Sequence, residues 1–355
     1  MHWIETSEDV ELVARRPNFP PGRYLVDDVN AGEYLSMWSH AVRAWHTPNQ
    51  KPFDPTKDWN GKTIGLIRAG GYGDLLFLTP LCREIKLRWP AAKIAVLTVP
   101  FFAEILQHNP DVDETPGYPV SVEDFERMDA IAEFGDILER SKSGRTKHAV
   151  DCFAEVMCLE LTDKTAKMIL TEEELAKAIE RFPRTSRKRY AVQLRASALG
   201  RTYHRMPDVI MALAKNGHEV FVFNTPGMEK VETNFEDQVI DVAHLQPPPT
   251  FRESCAIMMM CDGLVAPDSS LTHVAGVFGL PAVALYGPFP WQLRTAYSPT
   301  TVAINGNARC APCFHHIRGG NQFPKHGPCF VSGKCEALGE IDPGRIVTRL
   351  ERISL

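Results

Sequence analysis

The sequence predicts an α/β fold made of two Rossmann-like parallel-sheet halves facing a central cleft. Three observations carry this. Short apolar runs alternate with amphipathic stretches at helical spacing, first from Lys62 and again from Tyr190. Most of the changes between them pass through short turns, several closed by glycine. The 355 residues also divide into two domains of roughly 150 residues and a remainder.

Residues 1–60 form an N-terminal appendage and linker, rich in Pro, Asn, Trp and charge. A short helix is expected over Ala31–Trp45, and Pro48, Pro52 and Pro55 mark the linker. Trp3, Trp38 and Trp45 suggest that the appendage packs on something. The first Rossmann-like domain is placed at 61–184. Thr63–Arg68 reads as a strand ending in Ala69-Gly70-Gly71-Tyr72-Gly73-Asp74. A helix follows, with Leu75, Leu78, Leu81, Cys82, Ile85 and Trp89 on one stripe. Pro80 is expected to kink it or mark a late start. Lys93–Val99 is the second strand and Phe101–Gln107 starts the next helix. The span 111–182 reads as mainly helical, with Thr171-Glu172-Glu173-Glu174 as a helix N-terminus. The basic stretch Pro183–Arg189 breaks the pattern.

The second Rossmann-like domain is placed at 185–308. Strands are expected at Tyr190–Leu194, Glu219–Phe223, Gly263–Ala266 and Ala282–Tyr286. Helices are expected at Pro207–Asn216, Phe251–Met260 and Leu271–Phe278, two of them closed by Gly217 and Gly279. Residues 309–355 form a Cys-rich loop and a C-terminal helix.

Two turns carry residues suited to chemistry. In Gly70-Gly71-Tyr72-Gly73-Asp74, glycines let the backbone approach a ligand and the helix N-terminus favours an anion. A tight strand-to-helix turn needs no ligand and explains the glycines equally well. The spacing is not Gly-x-Gly-x-x-Gly, and the second strand ends without an Asp or Glu for a ribose, so a dinucleotide site is disfavoured. Asp74 would repel a phosphate there, unless it is an N-cap or a base. In Asp268-Ser269-Ser270-Leu271-Thr272-His273, two serines and the following backbone N–H groups suit a phosphate, while a plain N-cap needs none. A lone His273 one turn into a helix is more often packed than functional.

Ile67–Asp74 with Thr79-Pro80 and Trp89-Pro90 resembles the opening of glycosyltransferase family 9, the ADP-heptose:lipopolysaccharide heptosyltransferases and their relatives. Asp268–His273, followed by Gly279-Leu280-Pro281 through Gly287-Pro288, resembles that family's second signature. The resemblance runs from about Lys62 to Pro299. It implies a GT-B fold and an inverting, metal-independent transfer from a nucleotide-activated sugar to an acceptor hydroxyl. It makes Asp74 the general base and gives Gly71, Gly73 and Asp268, Ser269, Ser270, Leu271, Thr272 and His273 to donor and phosphate binding. Arg195, Arg201 and Arg205 stand where the family has a loop ending in Lys-x-Trp-Pro, and they become candidate diphosphate ligands. Glu229 matches a family glutamate that contacts the nucleoside. Two positions depart: Ser270 replaces the usual Gly, and Lys-x-Trp-Pro is not reproduced. These departures leave room for a non-catalytic nucleotide-sugar-binding protein, or a nucleotide-sugar epimerase, on the same fold.

Cys310 and Cys313 are two residues apart, Cys329 follows after 15 more, and Cys335 after another five. Two pairs at this separation suggest a structural zinc site, with His315, His316 or His326 as replacement ligands, or free thiols. No cofactor is expected for catalysis. Cys82, Cys152, Cys158, Cys255 and Cys261 read as core. The balance of 39 Lys+Arg against 44 Asp+Glu, net −5, argues against nucleic acid and against a polyanionic acceptor. The expected partners are a nucleotide sugar and a glycan or other hydroxyl acceptor, and no oligomeric state is read from the chain. No segment reads as a leader or a membrane span, so the expected compartment is the cytoplasm.

Overall fold

In the computed structural model, two compact units divide the chain. The first holds residues 1–143 and 149–169, the second residues 144–148 and 170–355. The structure describes strands at 2–6, 22–26 and 42–46, and residues 51–355 apart from 136, 226, 315–328, 330 and 331.

The first unit is built on three parallel strands in the order β5-β4-β7: β4 (Thr63–Ile67), β5 (Lys93–Leu97) and β7 (Ala130–Glu133). Their apolar residues are almost wholly buried, as expected of a sheet covered on both faces. β7 lies in the span read as mainly helical; Ala130-Ile131-Ala132 is too short to show a period, and pairing of Gly65 with Ile131 decides its state. Helix α1 (Tyr72–Arg88) follows β4 and runs through Pro80 without a late start. Pro80 has no N–H for the Leu76 carbonyl four residues back. The Thr79 hydroxyl donates to that carbonyl instead, at 2.7 Å, so the helix tolerates the proline.

A second sheet, order β3-β1-β2-β6, joins β1 (His2–Thr6), β2 (Gly22–Val26) and β3 (Val42–His46) to β6 (Val120–Ser121). The helix expected over Ala31–Trp45 is therefore corrected at its described end. Residues 42–45 are strand, because antiparallel pairing of Ala44 with Ile4 and Trp45 with Trp3 gives the backbone partners that a short isolated helix lacks. Residues 31–41 lie outside the described residues. Farther along, Ile131 N–H donates to the Lys51 carbonyl at 2.6 Å, and Phe53 stacks on Trp59 at 5.2 Å.

Cys158 is also corrected: it is exposed, with φ +51°. It ends helix α2 (Ala149–Val156), where Leu159 N–H turns back to Ala154 O at 3.0 Å, and that left-handed closure leaves its side chain outside the core. Cys82, Cys152, Cys255 and Cys261 are buried.

The second unit carries six parallel strands in the order β10-β9-β8-β11-β12-β13: β8 (Arg189–Gln193), β9 (Glu219–Phe223), β10 (Val239–Asp241), β11 (Gly263–Pro267), β12 (Ala282–Tyr286) and β13 (Thr301–Asn305). Helices α3 (Glu172–Arg181), α4 (Met206–Lys215), α5 (Phe251–Met258), α6 (Ser270–Phe278) and α7 (Pro343–Ile353) accompany it. The apolar faces of α4 and α7 and the strands bury one core that includes Val192, Ile210, Val265, Leu285 and Ile346. Thr171 and Glu174 form the capping box expected at the start of α3. Glu174 also bonds buried Arg252 of α5 through both carboxylate oxygens, at 2.6 and 2.7 Å. That guanidinium holds the Glu174 carboxyl down at about 2, with Thr171 assisting and burial opposing. A carboxyl lowered on folding stabilises above its unfolded value near 4.5, and the contribution disappears as the pH falls toward 2. Glu174→Gln should therefore cost on the order of 2 kcal/mol at pH 7, a drop of roughly 4–8 °C in melting temperature. The gap to the parent protein should narrow below pH ~4.5; a gap that stays constant down to pH ~3 would contradict it.

Candidate active site

The first-unit turn starts at the carboxyl end of β4. Gly71 is the residue before α1, with φ +95°, a conformation open to glycine. A Cβ there would lie 2.5 Å from Asp74 Oδ2, so the same residue makes the turn and leaves room for the carboxylate. Gly70 faces Phe102, where a Cβ would come within 2.8 Å of the ring. Gly73 sits half-buried in the first turn of α1. Asp74 is not the N-cap; it lies in that first turn too, where the helix dipole favours an anion.

What holds Asp74 is Arg68, which sequence reasoning quoted without giving it a role. Arg68 is 6% exposed. Its Nη2 donates to Asp74 Oδ2 at 2.8 Å and its Nη1 to the Phe134 carbonyl at 2.6 Å. The guanidinium lies 5.8 Å from the centre of the Phe153 ring, itself packed edge-on to Phe134. The available signal was a lone arginine at the end of an apolar strand, a place where burial requires a partner.

In the second unit, β11 delivers Asp268, which is 2% exposed, to the start of α6. Arg201 comes to it from the loop after β8: Nη1 donates to the Asp268 carbonyl at 3.1 Å and lies 3.6 Å from Oδ2, while Nη2 donates to Ser197 Oγ at 2.9 Å. Ser269 is the N-cap by position, yet its side chain does not cap. Its hydroxyl donates to Gln193 Oε1 at the end of β8. Among the described residues, the N-cap side chain thus leaves the α6 N-terminus uncapped, and its first N–H groups have the character of an anion site. Thr272 donates to the Pro267 carbonyl at 2.8 Å, and Leu271 and His273 are buried. The structure brings Arg201, Asp268, Ser269 and Ser270 together. Arg195 is exposed, Arg205 pairs with Asp208 at 3.1 Å, and Glu229 is exposed with its carbonyl accepting from Asn224. Gln193 and Ser197 were not foreseen, since neither has a distinctive motif.

Cys310 is exposed, Cys313 and Cys329 are half-buried and Cys335 is buried. Burial raises the thiols of Cys310 and Cys335, the latter to about 11, and the charges of Cys313 and Cys329 add to both shifts. Cys313 and Cys329 thus act electrostatically on both Cys310 and Cys335. Among the described residues, however, no three of Cys, His, Asp and Glu form a group fit to hold a metal ion, and the expected zinc site gains no support. His315, His316 and His326 lie outside the described residues.

The profile of glycosyltransferase family 9 (heptosyltransferase) matches residues 142–319, half of the chain. The chain belongs to glycosyltransferase family 9. The span matched includes the Arg201 loop and the Asp268 turn and begins after Asp74. Lipooligosaccharide heptosyltransferase 2 of Campylobacter jejuni is 23% identical over 149 residues, 39% of this family 9 chain and 42% of the relative, so less than half of that relative's length is spanned. Escherichia coli ADP-heptose LPS heptosyltransferase II shares the fold, with TM-score 0.62 and 15% identity over 82% of this chain and 98% of that one. So does the iron-containing dodecameric glycosyltransferase TibC from enterotoxigenic E. coli, with TM-score 0.60 and 12% identity, over 99% of this chain and 91% of that one. These likenesses establish the two-unit α/β, GT-B type fold. Among the described residues, no helix is long and apolar enough to cross a membrane.

Gly71→Ala places a side chain both in a glycine-only conformation and against the Asp74 carboxylate. It should lower stability by about 1–3 kcal/mol. A melting curve unchanged from the parent protein would contradict this.

Proposed function

We propose that this family 9 protein is an inverting glycosyltransferase that moves a sugar from a nucleoside-diphosphate sugar of the ADP-heptose type to an acceptor hydroxyl. The observation that carries the reading is the α6 N-terminus, left without a side-chain cap while Arg201 stands beside it. A donor diphosphate takes the first N–H groups of α6, the Ser270 hydroxyl and the Arg201 guanidinium, and the Ser269 hydroxyl joins them only on turning away from Gln193. Leu271, Thr272 and buried His273 fix the helix that presents these groups. Arg195, Arg205 and Glu229 serve the outer parts of the donor, and Gly71 and Gly73 shape the turn that presents Asp74.

In the reaction the acceptor oxygen forms a bond to the anomeric carbon as the bond from that carbon to the diphosphate oxygen breaks. The hydroxyl proton passes to the Asp74 carboxylate, and the nucleoside diphosphate leaves with the bonding electrons. Its charge is met by the helix N-terminus and Arg201, so this step needs no metal. Attack opposite the leaving group inverts the anomeric centre.

A second proposal concerns Cys310, Cys313, Cys329 and Cys335. The Cys-x2-Cys spacing of Cys310 and Cys313, with Cys329 and Cys335 following, is read as a structural metal site apart from the reaction, and TibC, which shares the fold, contains iron; the described residues by themselves form no group of three metal ligands. Four thiolates suit zinc or iron.

Asp74→Asn should leave ADP binding intact, read as an unchanged thermal shift, and lower transfer by at least ~100-fold. Turnover equal to the parent protein would remove Asp74 as the base. Arg201→Ala should weaken ADP binding by roughly tenfold or more in calorimetry; unaltered affinity would remove Arg201 from the donor site. Elemental analysis of protein purified without chelator should find about one zinc or iron per chain, and finding neither would withdraw the metal.

A further inference from the structure

We infer that Arg68 is a positioning residue for Asp74: it holds one carboxylate oxygen and leaves the other to receive the acceptor proton. The inference rests on the reading of Asp74 as the base. Among the described residues, Arg68 alone bonds the Asp74 carboxylate, and it does so through Oδ2. Oδ1 is left for substrate. The carboxylate side chain is 27% exposed and the arginine side chain 8%, so the pair presents a carboxylate to solvent from a buried cation.

Arg68 is itself immobilised. It leaves the end of β4, and its second prong ends on the Phe134 carbonyl just beyond β7. Phe134 is in turn tied to β4 by its own N–H, which donates to the Ile67 carbonyl at 2.9 Å. The guanidinium is thus held by a residue that the sheet itself anchors. The rings of Phe134 and Phe153 fill the space beside it. From the other side, Gly71 leaves only enough room for the carboxylate to fold back over the turn. A purely structural arginine would gain as much from backbone carbonyls alone. Here one of its two ends is spent on a part-exposed carboxylate, and a bond that fixes which oxygen faces solvent matters most for a group that must meet an incoming hydroxyl. General-base catalysis depends on that aim, because a base displaced by about 1 Å loses roughly 100-fold in rate.

The test is ADP release from ADP-heptose by the full chain, with water as the acceptor where no sugar acceptor is supplied, comparing Arg68→Gln, Arg68→Lys and Asp74→Asn. Arg68→Gln should lower kcat by roughly 100-fold and leave KM for ADP-heptose within about twofold, since positioning is lost and donor binding is not. Arg68→Lys keeps a cation and one donor, and should regain part of the loss. If kcat of Arg68→Gln stays within about twofold of the parent protein, or if Arg68→Lys is no better than Arg68→Gln, the inference is overturned. Should Arg68→Gln fail to fold, kcat and KM of a folded Arg68→Lys decide: an unchanged kcat overturns the inference, and a lowered kcat with unchanged KM supports it. An inactive Asp74→Asn beside an unaffected Arg68→Gln refutes this inference alone. Full turnover by Asp74→Asn, or no ADP release by the parent protein, refutes the functional reading and this inference with it.

Discussion

Parallel strands require a return path over the sheet, and a helix is the shortest way to make one. Each return begins where the carboxyl end of a strand meets the first N–H groups of the helix, and those groups have no partner inside it. Both sites described above are solutions to that one constraint. After β4 the helix start is approached by an aspartate, and after β11 by a serine pair. Everything else at the two turns follows from how the unpaired positive end is answered.

The two answers differ in kind. In the first unit the negative partner is built in, as Asp74, and Arg68 keeps it from drifting. In the second unit the natural capping side chain, Ser269, is drawn off by Gln193 and does not bond the helix N–H groups. An arginine stands against the Asp268 carbonyl, with the Asp268 carboxylate 3.6 Å from the same nitrogen. One unit thus holds a fixed carboxylate at its helix start, and the other a helix start whose cap serine is bonded elsewhere.

Strands β4, β5, β8, β9, β11 and β12, the helices after β4 and β11, and the places of Asp74 and Asp268 were legible because apolar runs and glycine turns are local signals. The partners of those residues were not. Arg68 meets Phe134 across 66 residues and Ser269 meets Gln193 across 76, and no window of sequence displays a contact set by strand order. A serine before an apolar helix reads as a cap until its competitor is seen. The end of the 31–45 segment failed for a related reason: a weak helical period was overruled by pairing with β1, which lies about 40 residues earlier. Cys158 failed differently, since hydrophobic neighbours in sequence say nothing of a left-handed turn that points a side chain outward.

The Thr79-Pro80 step has a consequence for how this chain can vary. The hydroxyl of Thr79 serves the carbonyl that Pro80 leaves without a donor, and it also accepts the backbone N–H of Lys167 at 2.8 Å. With alanine at 80 the carbonyl regains an amide donor and the hydroxyl is released. With valine at 79 and proline retained, a buried carbonyl and the amide of a distant segment both lose their partner. The two positions are therefore coupled through the Leu76 carbonyl: replacing threonine costs less once proline is gone, and the Lys167 amide loses its partner in either order.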